Sequence, residues 1–244
     1  MTHNGRNSQL QRLQKRQRAA YYFLRSIPYR LRPSNSRLIN EHLSLTGPKK
    51  LHLGCGNNVL SGWLNTDLNS SATIAYLDVT RRFPFSCGTF DYVFSEHLIE
   101  HVEYEQGLTM LRESHRVLRP GGKIRIVTPD FAFLEALHGS KKTELQRAYI
   151  RWAAETWLDH DIPDAAEMHV INNFVRAWGH QFIYDHTCLS HALVSAGFSQ
   201  VRTCEFLSSE DSVFCNLEHE NRMPAGFLRL ESLVLEGTKS SDVN

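Results

Sequence analysis

The stretch LHLGCGNNVLSGWLNTDL, residues 51–68, carries the pattern from which the fold is predicted. Its apolar start predicts a buried strand that runs directly into Gly54-Cys55-Gly56. Glycines at this place let a ligand approach the backbone closely, because they carry no Cβ atom. A second strand, residues 62–66, ends at Asp67, so a carboxylate follows the glycine pair at the next strand end.

Two more predicted strands end in polar residues. Residues 73–77 end at Asp78, and residues 90–94 end at Ser95 and Glu96. In open parallel sheets, ligands bind at the edge where the strands end. We therefore predict that these side chains meet the glycine pair at one edge of a sheet.

The downstream elements continue an alternation of helices and strands. A helix predicted at 104–118 is stopped by Arg119-Pro120-Gly121-Gly122, because proline cannot continue a helix and glycine allows a positive φ. The further predicted elements are a strand at 123–128, a mainly helical region at 131–180, a helix at 186–196, and strands near 201–206 and 230–236. This pattern predicts an α/β fold with a mostly parallel sheet.

Three parts of the chain differ in composition and pattern. We predict a basic N-terminal appendage at 1–46, a main domain at 47–238 with a helical insertion at about 131–180, and a tail at 239–244. Tryptophans at 152, 157 and 178 fall in or next to the insertion. Core packing is the favoured interpretation of these rings, although sugars also stack on such rings.

The strand-end carboxylates indicate a nucleoside-like ligand. Asp67 is placed to accept hydrogen bonds from both hydroxyls of a ribose, and Asp78 from an adenine amine. The third glycine of a dinucleotide motif is absent, because position 59 is Val59, and no phosphate-binding G-x-x-x-x-G-K-[ST] loop exists. A ligand without phosphates, such as S-adenosylmethionine, therefore fits better than NAD or ATP.

The sequence resembles class I S-adenosylmethionine-dependent methyltransferases, most of all small members linked with cell-surface sugar biosynthesis. The matching segments are LHLGCGNNVLSGWLNTDL (51–68), LDVTRRFPFSCGTFDYVFSEHLIEHV (77–102), LRESHRVLRPGGKIRIVTPD (111–130) and, more weakly, WGHQFIYDHTCLSHALVSAGF (178–198). The resemblance implies a Rossmann-like fold with an open, mostly parallel seven-stranded sheet and helices on both faces. It also implies S-adenosylmethionine as cofactor and a sugar or other small-molecule hydroxyl as methyl acceptor.

The resemblance also implies roles for individual residues. Gly54, Cys55 and Gly56 would contact the methionine part of the cofactor, Asp67 the ribose and Asp78 the adenine. Ser95, Glu96 and His97 would form the floor below the sulfonium. One departure concerns the ten residues between Gly56 and Asp67, which leave no room for a full crossover helix.

The histidines of the predicted site leave alternatives open. His97 is either a general base for a hydroxyl acceptor or a structural residue near a helix start. His180 is the second base candidate, against a packed or surface role, and Asp185 beside it suits a helix cap. Glu96, His97, Glu100 and His101 have i, i+4 spacing, but no third ligand of a zinc motif is evident, so we predict no metal site.

Charge and cysteine content limit the remaining function classes. The formal net charge is +1, and Ser95-Glu96-His97-Leu98 lacks the Asn/Asp-Pro-Pro-Tyr/Phe signature of nucleic-acid methyltransferases, so we predict no nucleic-acid partner. Five cysteines without metal-ligand spacing favour reduced thiols in the cytoplasm. The rival classes are a nucleotide-linked oxidoreductase, which the missing third glycine disfavours, an inactive cofactor-binding regulator, and a nucleic-acid methyltransferase.

The first forty residues contain nine arginines and lysines and no acidic residue. Apolar side chains such as Leu10, Leu13 and Leu24 are interleaved with the basic ones. One interpretation is an arm that packs on the domain. The other is a peripheral contact with an anionic membrane, because basic residues bind the headgroups and apolar ones insert at the interface.

Overall fold

The computed structural model describes residues 33–158 and 166–241. Its seven described strands form one sheet and are β1 (Lys50–Leu53), β2 (Leu64–Asp67), β3 (Ala75–Tyr76), β4 (Phe90–Glu96), β5 (Leu118–Pro129), β6 (Phe198–Thr203) and β7 (Ser232–Lys239). Their order is β3-β2-β1-β4-β5-β7-β6, and β7 runs antiparallel to both of its neighbours while the other pairs are parallel. The predicted fold class, α/β with an open, mostly parallel, seven-stranded sheet, is confirmed.

Helices and one long irregular segment, residues 204–226, cover the two faces of this sheet. The helices are α1 (Pro33–Ser44), α2 (Tyr104–Val117), α3 (Phe131–His138), α4 (Glu144–Trp157), α5 (Ala166–Arg176), α6 (His186–Ser195) and α7 (Phe227–Glu231). On one face, Leu111 of α2 and Leu193 of α6 share an apolar core with Leu51 and Ile124 of the sheet. On the other face, Phe94 of β4 packs in a cluster with residues that follow β6, including Phe214.

Several element bounds differ from the predicted ones for local reasons. The helix predicted at 104–118 is α2, which ends at Val117. The next strand, β5, begins directly at Leu118 instead of at the predicted Lys123. The proline and glycines therefore lie inside an irregular part of the strand, where Gly121 has a φ of +78°. The last strand begins at Ser232, because α7 occupies the residues before it.

The connection from β1 to β2 contains no helix, in agreement with the short spacing seen in the sequence. In the absence of a helix, the side chain of Asn65 forms hydrogen bonds to the backbone of this connection. Its side-chain oxygen accepts the N–H of Leu60 at 2.9 Å and its amide donates to the carbonyl of Leu60 at 2.9 Å. The buried His52 ring completes this arrangement with its Nδ1 3.1 Å from the same oxygen of Asn65.

The guanidinium of Arg125 attaches the irregular segment to the sheet. It is fully buried and pairs with Glu218 at 2.6 Å and with Glu236 at 2.7 Å. It also donates to the carbonyl oxygens of Glu205 and Ser208 at 2.9 and 3.0 Å. Glu236 keeps a second cationic partner, Arg202 at 2.9 Å, whereas Glu218 pairs only with Arg125 among the described residues. Removal of Arg125 therefore leaves Glu218 without its cation.

We expect Arg125→Met to destabilise the protein by about 3–5 kcal/mol, because an uncompensated buried carboxylate is costly even when the volume is filled. Urea unfolding at equilibrium measures this difference. The matched control is Arg147→Met, because Arg147 pairs at 3.3 Å with Glu144 on the exposed surface of α4. That change should cost less than about 1 kcal/mol. Equal stability losses in the two variants would contradict the assigned role.

The helix α1 covers the free edge of the sheet. The side chain of Asn35 accepts the backbone N–H of Tyr76 on the edge strand β3 at 2.7 Å. The N–H of Lys50 contacts Nε2 of the buried His42 at 3.3 Å.

Most of the basic segment considered for membrane contact, residues 1–32, lies outside the described residues. None of the described helices is long and apolar enough to cross a membrane.

The membrane hypothesis can be tested by removing the residues that precede α1, which begins at Pro33. A shortened protein that begins at Pro33 keeps α1 and loses eight of the nine basic residues. If residues 1–32 bind anionic headgroups, the full chain should sediment with phosphatidylserine vesicles at low salt and the shortened one should not, since each basic residue contributes about 1 kcal/mol. Neutral vesicles and competing RNA are the controls, because RNA binding has a similar salt dependence. Full-length protein that stays in the supernatant would exclude the contact.

Candidate functional site

The ends of the four parallel strands β1 to β4 meet at one edge of the sheet. In the register of these strands, Leu53 lies beside Thr66 on one side and beside Ser95 on the other. Asp67 lies beside Tyr76 on β3, two residues before Asp78. The fold therefore places the glycine pair and the polar strand ends along a single edge.

The two glycines at this edge have different roles. Both have positive φ, +59° at Gly54 and +50° at Gly56. A Cβ atom on Gly54 would lie 2.6 Å from the side chain of Leu98, so the glycine lets that side chain pack on the loop. A Cβ atom on Gly56 would meet no described atom within 4 Å, so its backbone faces open space where a ligand can approach.

Cys55 lies between the glycines and points into the protein. Its backbone N–H donates to the carbonyl of Thr66 at 2.9 Å, which fixes the loop to β2. Burial, together with the charge of Asp67, raises the pKa of the Cys55 thiol to about 12. The thiol therefore stays protonated and supplies packing, not a nucleophile.

Asp67 is held by backbone donors and keeps acceptor capacity. Its Oδ2 accepts the N–H of Gly56 at 3.1 Å, and its Oδ1 accepts the N–H of Asn69 at 2.8 Å. Each carboxylate oxygen has two lone pairs, so each retains one for a further donor. The next side chain, Leu68, is 47% exposed and adds an apolar surface. A ribose with its two hydroxyls, carrying a purine, fits this combination.

Asp78 is more strongly engaged by its own turn. Its Oδ1 accepts both the N–H and the hydroxyl of Thr80, at 3.0 and 2.6 Å, and its Oδ2 pairs with Arg81 at 3.0 Å. Only Oδ2 has acceptor capacity left for a ligand. Asp78 thus acts as a turn cap in this structure, in addition to any contact with a ligand.

The end of β4 is buried beneath the glycine loop. The hydroxyl of Ser95 is buried and has no hydrogen-bond partner among the described residues. Glu96 accepts the side-chain amide of Asn58 at 3.1 Å and the backbone N–H of His219 at 3.0 Å. Glu96 therefore connects the β1–β2 loop to the irregular segment, a contact that the sequence did not indicate.

His97 follows β4 in a left-handed conformation, with a φ of +46°, which non-glycine residues seldom adopt. Its ring is nearly buried, with Nε2 at 3.0 Å from the hydroxyl of Ser232 and Nδ1 at 3.4 Å from Oε1 of Glu100. Backbone strain of this kind persists only where the surrounding structure holds it, and it is frequent in active sites. The ring is thus fixed between a hydroxyl and a carboxylate.

Glu100, in the 3-10 helix Ile99–His101, is fully buried. Its Oε2 accepts the hydroxyl of Thr128 at 3.0 Å, whereas Oε1 has no well-formed hydrogen bond among the described residues. Oε1 does lie 3.4 Å from Nδ1 of His97 and 3.7 Å from Nε2 of His101. Burial acts to raise the pKa of Glu100, but the two histidine rings outweigh it and the pKa lies below its ordinary value.

His180 reaches the same place from a distant part of the sequence. The carbonyl of Glu100 accepts the N–H groups of Gln181 and Phe182, at 2.7 and 3.2 Å, and this fixes the segment. Nδ1 of His180 lies 2.6 Å from the carbonyl oxygen of Phe174, and burial lowers the pKa of the ring. As a carbonyl only accepts, Nδ1 carries the hydrogen and Nε2 the lone pair.

Three groups that can ligate a metal meet at this point. The ligand atoms of Glu100, His101 and His180 all lie within 4.8 Å of one another. The sequence predicted no metal site, because no third ligand was evident beside the i, i+4 set of Glu96, His97, Glu100 and His101, and His180 is about eighty residues away along the chain. Asp185, predicted to cap a helix, caps α6 by accepting the N–H of Cys188 at 2.6 Å.

An exposed aromatic surface adjoins His180. Trp157 and Trp178 are 48% and 45% exposed, with ring centroids 5.4 Å apart, and the Trp178 ring lies 5.7 Å from that of His180. The core packing expected for the tryptophans is therefore wrong for these two side chains. Trp152, which is partly buried, packs against the apolar cluster of the insertion helices.

Comparisons with known proteins connect part of the chain to one family. Residues 72–126, which run from the start of β3 into β5, match the model of a methyltransferase domain family. A search of curated proteins by sequence found no match.

Solved structures with a similar fold include other methyltransferases. One is an S-adenosylmethionine-dependent methyltransferase from Archaeoglobus fulgidus, at 16% identity and a TM-score of 0.48, covering 90% of this chain and 100% of that one. A second is from Mesorhizobium loti, at 15% identity and 0.47, covering 84% and 98%. A third is phosphoethanolamine N-methyltransferase 2 of Haemonchus contortus with S-adenosylhomocysteine, at 14% and 0.43, covering 84% and 52%.

The assignment depends on the family match together with the geometry of the site. The matched residues include the strand end at Asp78 and the strand β4 that leads to Ser95 and Glu96. The edge they share with Gly56 and Asp67 fits an adenosyl group without phosphates. The family match and the seven-stranded sheet support a class I methyltransferase that uses S-adenosylmethionine as its cofactor.

Proposed function

We propose that this protein methylates a hydroxyl group of a small molecule, a sugar or a glycan, with S-adenosylmethionine as the methyl donor. The observation that carries the proposal is the pairing of Asp67, which keeps one free lone pair on each oxygen, with the open backbone of Gly56. The two ribose hydroxyls would occupy those lone pairs. Leu68 would cover one face of the adenine, and Oδ2 of Asp78 would accept its amine.

The remaining cofactor residues act mainly through the backbone and through packing. Gly54 and Cys55 would shape the loop around the methionine part, with Gly56 in direct backbone contact. Ser95 would use its unpartnered hydroxyl at the floor of the site. Glu96 would hold the floor in place through Asn58 and the N–H of His219.

The reaction requires alignment of the acceptor and removal of one proton. When bound, S-adenosylmethionine supplies a methyl group activated by its sulfonium. The protein excludes water and holds the acceptor hydroxyl in line with that methyl group. Nδ1 of His97 lies 3.4 Å from the carboxylate of Glu100, and Nε2 lies 3.0 Å from the hydroxyl of Ser232. With its hydrogen on Nδ1, on the side of the carboxylate, the ring would have its lone pair on Nε2. His97 would then take up the acceptor proton directly or through Ser232.

The exposed tryptophans support a sugar or glycan as acceptor. The faces of Trp157 and Trp178 offer an apolar platform next to His180, and sugar rings stack on such surfaces. Apolar side chains of Met168 and Val175 are also exposed on α5. His180 is the second base candidate. Its Nδ1 donates to the carbonyl of Phe174, so the lone pair that could accept a proton lies on Nε2.

Two other functions make different demands on this site. An inactive cofactor-binding regulator needs Asp67 and Gly56 but not His97. A nucleic-acid methyltransferase needs a basic surface, for which the net charge of the chain gives no support. Binding and turnover measurements separate these functions from the proposed one.

Asp67→Ala should weaken the binding of S-adenosylhomocysteine more than Asp78→Ala does. The first change removes the acceptor of two ribose hydroxyls, and hydrogen bonds to a charged group contribute about 1.5–3 kcal/mol. Titration calorimetry should show a micromolar Kd for the wild type and a loss of roughly tenfold or more for Asp67→Ala. Glu135→Ala, at an exposed position of α3, is the control. A wild type that binds NAD more tightly than the cofactor would contradict the proposal.

The function itself is tested by methyl transfer from radiolabelled cofactor to a panel of sugars, glycolipids, small metabolites and RNA. We expect transfer to at least one hydroxyl-bearing sugar, and a turnover reduced by about 10²–10⁴ in His97→Gln with little change in cofactor affinity. Equal turnover in the variant would remove His97 from the mechanism. Labelling of RNA alone would establish the nucleic-acid alternative, and cofactor binding without transfer to any acceptor would favour the regulator.

A further inference from the structure

The buried carboxylate of Glu100 and two histidine rings form a cluster with the composition of a metal site. Oε1 of Glu100 is buried and has no well-formed hydrogen bond among the described residues. Buried polar atoms in proteins are nearly always hydrogen-bonded, so an oxygen without such a bond can accept a further donor or ligate a metal ion. The nearest cationic or donor candidates are the rings of His97 and His101 at 3.4 and 3.7 Å.

The hydrogen bonding of His180 leaves a lone pair on Nε2. Its Nδ1 donates to the carbonyl of Phe174 at 2.6 Å, so Nε2 is the nitrogen left for coordination. Metal-bound histidines commonly have this second hydrogen bond, which fixes the tautomer and the ring orientation. The hydrogen bonds from Gln181 and Phe182 to the carbonyl of Glu100 hold the two parts of the cluster together.

The distances are suitable for a single small ion. Ligand atoms on one zinc ion lie about 3–4 Å apart, because each is about 2.0–2.2 Å from the metal. Glu100 Oε1 and His101 Nε2 already have this separation at 3.7 Å. No pair of ligand atoms in the cluster exceeds 4.8 Å, so small side-chain rotations bring all three into coordination range.

We propose that Glu100, His101 and His180 bind a divalent transition-metal ion of the zinc type. Two imidazoles and one carboxylate are the ligand set of several catalytic zinc sites, and the choice of nitrogen ligands disfavours calcium and magnesium. Three protein ligands leave a coordination position open. The rings of His101 and His180 are only partly buried, so the open position is accessible to water or to a hydroxyl group.

Two further ionisable groups, His97 and Glu231, lie beside the cluster. The ring of His97 contacts the same carboxylate through Nδ1, so it can support Glu100 without being a ligand. Glu231 is a second buried carboxylate near His97 and accepts the hydroxyl of Tyr149 at 2.6 Å. The site lies just beyond the end of β4, beside the residues assigned to the acceptor.

Metal binding is measured on the full chain after chelator treatment, with Zn²⁺ or Co²⁺ as the only added ligand. We expect one ion per chain, with a dissociation constant in the micromolar range or below, and the visible absorption of Co²⁺ in a nitrogen-containing site of low coordination number. His180→Ala and Glu100→Gln should each weaken binding at least about tenfold, since even the loss of an outer hydrogen-bond partner has effects of this size. The control is His191→Ala, at an exposed position of α6, which should bind as the wild type does.

Thermal unfolding with and without Zn²⁺ distinguishes a variant that has lost metal binding from one that folds poorly. Zn²⁺ should raise the Tm of the wild type and of His191→Ala, and leave that of His180→Ala unchanged. A wild type that binds neither ion, or a His180→Ala and Glu100→Gln pair that binds as well as the wild type, would overturn the proposal. Because no cofactor or acceptor is present, this result is independent of whether the chain methylates a hydroxyl.

Discussion

The carboxylate of Glu100, buried in the 3-10 helix after β4, is the constraint on which the proposed acceptor side of the site depends. An ionised carboxylate in a protein interior carries a penalty of several kcal/mol unless its surroundings compensate it. Here the compensation comes from Thr128 on β5 and from the rings of His97 and His101. The backbone carbonyl of the same residue accepts the N–H groups of the segment after His180. Glu100 therefore connects β5, the 3-10 helix to which it belongs and the segment after His180.

The cofactor side is constrained instead by a short connection. The ten residues between Gly56 and Asp67 contain no helix, so one face of the sheet lacks the cover that a crossover helix would give. The irregular segment after β6 provides that cover, held by the buried guanidinium of Arg125. Glu96 joins this segment to the β1–β2 loop through the N–H of His219. The floor of the cofactor site thus depends on a segment that lies more than a hundred residues later in the chain.

The sequence predicts the elements whose pattern is local. The strand at 50–53, the helix after position 104 and the cap at Asp185 follow from apolar spacing and from turn chemistry, and the structure contains all three. The start of β5 was missed, because the glycines after Pro120 indicate a turn while pairing with β4 extends the strand to Leu118. β3 is only two residues long, since its edge pairs with Asn35 and not with another strand.

Contacts between segments that are distant in the sequence cannot be predicted from apolar spacing or turn chemistry. Nothing in the spacing of His180 indicates that it lies against His101, or that Glu96 accepts a backbone hydrogen bond from His219. The exposure of Trp178 was equally hidden, because it results from a left-handed turn in which both Trp178 and Gly179 have positive φ. That turn follows α5 and brings His180 back against the carbonyl of Phe174 on the same helix. In the proposed function, the strand ends therefore form the cofactor side, whereas residues 131–180 contribute to the acceptor side. A change in the insertion can alter the acceptor without disturbing the strand ends, which is why the cofactor can be inferred from local sequence and the acceptor cannot.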